Sequence, residues 1–200
     1  MRTWPRTLGR VFLSPRTVST AWAPLIVAIC ACMLAPVVAK AQTCADGWEP
    51  GEGIPGLLSS AEALAVMPDG SFVAAGGFTV AGKAAVNSIA KWNGTSWETL
   101  GSGFNSTVSC LAVLPNGDLI AGGDFTLAGD TPVRRIARWN GSEWVAMGSG
   151  MTAWVNALTV APNGDLIAGG DFSTAGGVFC NRIARWNGSS WSALGSGMNN

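Results

Sequence analysis

This sequence predicts an all-β fold: a β-propeller-like repeat array of about three four-stranded blades, each 47 residues long. Three observations predict it. Residues 91–97 read KWNGTSW, residues 138–144 read RWNGSEW and residues 185–191 read RWNGSSW, each copy 47 residues after the last. Other landmarks keep the same step: Pro68-Asp69-Gly70 returns as Pro115-Asn116-Gly117 and Pro162-Asn163-Gly164, and Gly101-Ser102-Gly103 returns at 148–150 and 195–197. A fixed period of this size marks repeated supersecondary units. Thirdly, no stretch beyond the N-terminal segment shows sustained helical periodicity, and each unit divides into four short strand-like runs.

The elements follow in order within residues 108–154. Leu111-Ala112-Val113-Leu114 is a short apolar run ended by Pro115-Asn116-Gly117, which reads as a buried strand closed by a turn. Residues 118–125 (DLIAGGDF) read as its hairpin partner. A polar stretch through Ala128-Gly129-Asp130 leads to Arg135-Ile136-Ala137-Arg138-Trp139, whose period-two alternation predicts a half-exposed third strand. Asn140-Gly141 is a strong hairpin signal, and residues 143–147 (EWVAM) make the fourth strand. The flanking units give repeats at 61–107 and 155–200. Repeats two and three share 30 of 46 aligned residues.

The first 41 residues belong to another class. Arg2, Arg6, Arg10 and Arg16 precede an apolar run over 21–39 and then Ala39-Lys40-Ala41. A basic region, an apolar core and an A-x-A site describe a secretory signal peptide cleaved after Ala41, so the expected location is secreted or extracytoplasmic with no membrane span in the mature chain. An uncleaved anchor is the rival reading, against which Pro24 and Pro36 interrupt the run. Residues 42–60 read as a partial blade or linker, with Gly47-Trp48-Glu49 resembling a last strand. Cleavage leaves seven basic and twelve acidic residues, a net charge of −5. That balance does not favour nucleic acid. Arg134, Arg135 and Arg138 form a local cluster, read here as solvated strand ends.

Candidate site residues come from the repeated aromatics. Trp92, Trp139 and Trp186 each precede an Asn-Gly turn, and Trp97, Trp144 and Trp191 follow it. The second set is expected to be structural, filling space between blades. The first set, with the unrepeated Trp154, is the candidate ligand-contact set, through sugar stacking. Gly76, Gly122, Gly123, Gly169 and Gly170 are expected to be structural, relieving crowding between neighbouring backbones or permitting a bulge. Histidine and tyrosine are absent from the whole chain, so no Ser-His-Asp triad and no histidine-ligated metal site can be built. Asp118 and Asp165, and Asp124 and Asp171, recur and read as turn caps. No catalytic, metal or cofactor residue is expected. Cys44, Cys110 and Cys180 remain after cleavage, and their pairing is open. Four N-x-[ST] triplets begin at Asn93, Asn105, Asn140 and Asn187.

The glycine pair with a downstream tryptophan, in LAVLPNGDLIAGGDF…RIARWNGSEWVAMGSG, resembles the kelch-like, galactose-oxidase-type propeller repeats of exported bacterial proteins. It is also similar to repeats of fungal surface polarity-marker proteins. The tyrosine usual between those landmarks is missing. The resemblance implies a propeller and a surface or secreted location, and it carries over no catalysis. The expected function is therefore a secreted or cell-surface binding or structural module without enzymatic activity, its partner an unidentified protein or carbohydrate. Two alternatives stand beside it. One is a lectin-like oligomer, and the other is a fragment of a larger propeller hydrolase or lyase using Asp124 and Asp171. Three blades cannot close a ring of about 4–8. The array is thus expected to be partial, or completed by a homo-oligomer.

Overall fold

The computed structural model describes residues 56–198. The expected signal peptide, its cleavage site, Cys44 and most of the expected partial blade lie outside the described residues. Blade one contains β1 (Ala61–Val66), β2 (Phe72–Gly76), β3 (Val80–Ala81), β4 (Ala84–Ala85), β5 (Ile89–Trp92) and β6 (Trp97–Thr99). Blade two contains β7 (Val108–Val113), β8 (Leu119–Gly123), β9 (Leu127–Ala128), β10 (Thr131–Pro132), β11 (Ile136–Trp139) and β12 (Trp144–Ala146). Blade three contains β13 (Val155–Val160), β14 (Leu166–Gly170), β15 (Thr174–Ala175), β16 (Val178–Phe179), β17 (Ile183–Trp186) and β18 (Trp191–Ala193). The described residues contain no helix, and hence none long and apolar enough to cross a membrane.

Each blade is a four-stranded antiparallel sheet, in the order β1-β2-β5-β6 and its equivalents. A two-stranded ribbon interrupts each sheet between its second and third strands: β3-β4, β9-β10 and β15-β16. The sequence reading takes this only as a polar stretch leading to the third strand. It missed the ribbon because two-residue strands are too short to carry a periodic signal. The second strand is also shorter than read, stopping at Gly123. Asp124 and Phe125 instead open the ribbon, and Phe125 turns into the core.

Local chemistry explains the two turns of each blade. In the first, the side-chain oxygen of Asn116 accepts the Asp118 amide at 3.1 Å, and Asp69 accepts Ser71 at 2.9 Å. These are Asx turns, which the short side chain makes cheaply. The second is a four-residue loop, since Trp139 pairs directly with Trp144. Asn140 Oδ1 accepts the amides of Ser142 and Glu143, each at 3.0 Å, and only the glycine takes a positive φ. A tight two-residue turn, with positive φ at both positions, is therefore not what Asn-Gly builds here.

The core lies in the seams between blades. Strands β1, β7 and β13 lie side by side, so the blades fan out from a shared inner edge. One cluster joins Val73, Ile89, Leu100 and Phe104 of blade one to Leu119, Phe125, Val133 and Trp144 of blade two. A second joins Ile120, Ile136 and Met147 of blade two to Leu166, Phe172, Ala184 and Trp191 of blade three. Alternation along each strand produces this, because Leu119 and Ile120 point to opposite faces and each face meets a different neighbour. Both faces are buried, so β8 reads as a continuous apolar run.

A surface ion pair also recurs. Arg138 meets Asp118 at 3.6 Å, and Arg185 meets Asp165 at 3.7 Å. Blade one has Ser71 at that acidic position, and its pair re-forms as Lys91 with Asp69 at 2.9 Å. Ser71 donates a hydroxyl hydrogen bond to Asp69, and that contact first, then Lys91, holds the Asp69 carboxyl below the usual carboxylate range.

Candidate functional site

Every blade has two ends with different chemistry. The turn end carries the first turn and the Asn-Gly loop. The ribbon end carries the two-stranded ribbon and the Gly-Ser-Gly link to the next blade.

Trp92, Trp139 and Trp186 lie at the turn end, since Trp139 pairs with Leu119, the first residue of β8. Trp154 lies at the opposite end, because the adjoining Val155 pairs with Gly170, the last residue of β14. The fold therefore does not gather the four candidate tryptophans into one site. Trp186 is buried, Trp92 and Trp139 are half-buried, and Trp154 is 54% exposed. Within each blade the two repeated indoles meet at about the same spacing: 5.5 Å for Trp92–Trp97, 5.4 Å for Trp139–Trp144 and 5.3 Å for Trp186–Trp191. Such tilted contacts add about 0.5–1.5 kcal/mol beyond burial.

The following tryptophan spans the seam. Trp144 donates its indole N–H to the Leu100 carbonyl of blade one at 2.9 Å. Trp191 donates to the Met147 carbonyl of blade two at 3.0 Å. Each ring fills the seam while its polar atom satisfies a buried carbonyl at the end of the preceding blade's last strand.

The glycine pairs sit at the ribbon end. Each first strand is bulged there, between Ala61 and Ala63, Val108 and Cys110, and Val155 and Ala157. A Cβ on Gly123 would lie 2.2 Å from the Thr107 carbonyl oxygen at the bulge, and one on Gly170 would lie 2.0 Å from that of Trp154. Only glycine lets the strands approach so closely. At Gly122 the crowding crosses the seam, 2.7 Å from Val155 Cγ1. Gly122 and Gly123 thus meet different crowding, whereas at Gly169 nothing lies nearer than 3.9 Å.

Beside the pairs, each third strand starts from a corner of positive φ: Ser88 at 63°, Arg134 and Arg135 at 42° and 71°, and Asn181 and Arg182 at 35° and 71°. Non-glycine residues hold such angles only where their surroundings fix them. The Asn87 carbonyl accepts the Phe104 amide, the Arg134 carbonyl accepts that of Met151, and the Asn181 carbonyl accepts that of Met198, each at 3.0 Å. The corner thereby anchors the Gly-Ser-Gly link in every blade, and its strain is architectural.

The described residues form open cavities at both ends of the blades. One at the turn end of blade one, about 360 Å³, is lined by Asp69, Ser71, Lys91, Trp92 and Asn93. A larger one of about 600 Å³ lies at the ribbon end between blades two and three, and Arg134 and Arg135 line it. Sequence reasoning placed those arginines on solvated strand ends. The available signal was the break in the repeat: blade one has Asn87-Ser88 at this corner and blade three has Asn181-Arg182.

The recurring acids Asp124 and Asp171 have different partners. Asp124 faces Arg135 at 3.8 Å, whereas Asp171 accepts a hydrogen bond from Asn156 at 3.2 Å. Among the described residues no three acidic or cysteine side chains converge as a metal site would need. Cys110 and Cys180 are buried free thiols. Burial pushes the Cys110 thiol up to about 12 and raises that of Cys180.

Comparison with known proteins supports the fold. Residues 161–189 match a family described as a domain of unknown function (DUF5122) beta-propeller. Residues 94–128 match the WD domain, G-beta repeat. No curated protein matches the chain. The first match spans the turn, second and third strands and ribbon of blade three, and the second crosses from blade one into blade two. Both are propeller descriptions at large, and neither is kelch-type or galactose-oxidase-type. The sheets and these matches agree: the chain is built of β-propeller repeats.

Proposed function

We propose that this chain is an exported, non-catalytic binding or structural module of kelch-like lineage that presents the ribbon ends of its blades to a protein or carbohydrate partner. One observation carries the reading. Residues that recur in every repeat are consumed by the scaffold, whereas ribbon-end residues change chemistry from blade to blade. Lys83, Asp130 and Gly177 occupy one ribbon position, and Ser60, Thr107 and Trp154 occupy another. A constant scaffold with a variable rim suits recognition. The basic, apolar and A-x-A pattern of the first 41 residues supports export.

Glycan and matrix-polypeptide arrays probed with labelled mature chain test the binding half. Binding should fall when the ribbon-end residues Asp130, Arg134 and Trp154 are exchanged for their blade-one counterparts, and should survive changes in the Asn-Gly loops. The reverse pattern would sink the reading. Export is checked by fusing residues 1–60 to a reporter and sequencing the processed N-terminus, which should begin at Gln42.

A second reading, a ring completed by further blades from another copy, is favoured by the outer faces of the array. Leu64 on blade one is 69% exposed, whereas its counterparts Leu111 and Leu158 pack against a neighbouring blade. Light scattering on the mature chain tests it: a discrete dimer with a cooperative melt supports ring completion, and a stable monomer refutes it.

A further inference from the structure

We propose that the cavity between blades two and three binds an oxyanion, a carboxylate or sulfate group borne on a small or polymeric ligand. This rests on the reading of the ribbon end as a binding surface and gives that surface its ligand chemistry. The cavity, about 600 Å³, falls within the range of small-ligand sites, and its wall includes Thr126, Arg134, Arg135, Ser149 and Thr174.

The two guanidinium groups carry the argument. Arg135 is held by its corner at the base of β11, with its side chain three-quarters buried. One terminal nitrogen donates to the Met151 carbonyl at 3.4 Å. Its Nε is buried without a hydrogen-bond acceptor, because Asp124 stands at 3.8 Å, within ion-pair range but too far for a hydrogen bond. Arg135 lines the cavity with one long carbonyl hydrogen bond and one long ion pair, so its guanidinium keeps donor capacity for an oxyanion. Arg134 adds a second cation at the same wall and makes no ion pair among the described residues. Arginine is suited to the task, since its planar fork matches carboxylate and sulfate oxygens.

The repeat supplies an internal control. In blade one the corner residues are Asn87 and Ser88, and Asn87 donates to the Ser102 carbonyl at 2.9 Å. The same corner therefore exists without charge. A mature net charge of −5 also means that diffuse attraction does not gather anions on this surface, so binding must be local.

The test titrates the mature chain with sodium sulfate, with glucuronate and with neutral glucose, followed by calorimetry and by amide chemical shifts. The variant is R134N/R135S, which installs the blade-one corner and so retains side chains that this backbone already accommodates. Expected is saturable binding of glucuronate, sulfate or both, with shifts centred on residues 134, 135 and 149, little response to glucose, and a loss of about tenfold or more in the variant. Tighter binding of glucuronate identifies a carboxylate ligand, and tighter binding of sulfate a sulfated one. Absence of binding by either anion, or equal binding by a folded variant, overturns the proposal. Glucose binding that persists in the variant overturns it too while leaving the ribbon end as a binding surface.

Discussion

Met147 and Leu194 hold the same position in successive repeats, yet Met147 is 1% exposed and Leu194 is 39% exposed. The difference is the neighbour. Trp191 of blade three closes over Met147 and hydrogen-bonds its carbonyl. No described blade follows blade three to treat Leu194 likewise. Local sequence sets where a side chain points, but the adjoining repeat decides whether that direction is core or surface. Stability in such an array therefore resides in interfaces more than in individual blades.

Substitutions at paired positions can break this contrast. Trp144→Ala, in the seam, should cost about 3–5 kcal/mol in a denaturant melt, because it removes a buried indole and leaves the Leu100 carbonyl unsatisfied. Trp97→Ala, at the half-buried equivalent in blade one, should cost less than half as much. Met147→Ala should cost roughly 2–5 kcal/mol, and Leu194→Ala under about 1 kcal/mol. Equal losses within either pair would show that the seams do not concentrate the stability.

Gly122→Ala and Gly169→Ala sharpen the same contrast. A Cβ at Gly122 would meet Cys110 Sγ and Val155 Cγ1 at 2.7 Å, whereas at Gly169 nothing lies nearer than 3.9 Å. The first should destabilise by about 1–3 kcal/mol, and the second should be neutral or slightly stabilising.

Cys110 provides a titration of that seam. Its thiol is raised from an ordinary 9.0 to about 12, so folding favours the protonated form. The contribution is complete below pH 9 and is lost as pH rises from 9 to about 12, where the unfolded chain ionises first. Melts across that window should show a decline that Cys110→Ala abolishes. A decline that persists unchanged in Cys110→Ala would assign the effect elsewhere. The smallest expected effect is at the solvent-exposed pair: Lys91→Gln should leave the melting midpoint unchanged within error.

Much of the architecture was legible in the chain. The 47-residue step, the Asx turns and the period-two strands are written in residues a few positions apart, where backbone preference and side-chain size act directly. The ribbon was not legible, because β9 and β10 are two residues each. The candidate site was less legible still. Trp154 stood out as unrepeated and proved exposed, but Arg134 and Arg135 read as solvated strand ends until the fold set them in the wall of a cavity.

The sequence by itself determined the repeat, the strands with their turns, and the absence of histidine chemistry, since each depends on local geometry or on composition alone. Only the tertiary structure decided which tryptophan bridges to the preceding blade, which glycine is crowded by which neighbour, and which arginines share a cavity. Those outcomes depend on contacts such as that of Trp144 with Leu100, 44 residues apart, which exist only once blades stack. A one-dimensional pattern can say which way a side chain points, but not what stands opposite it.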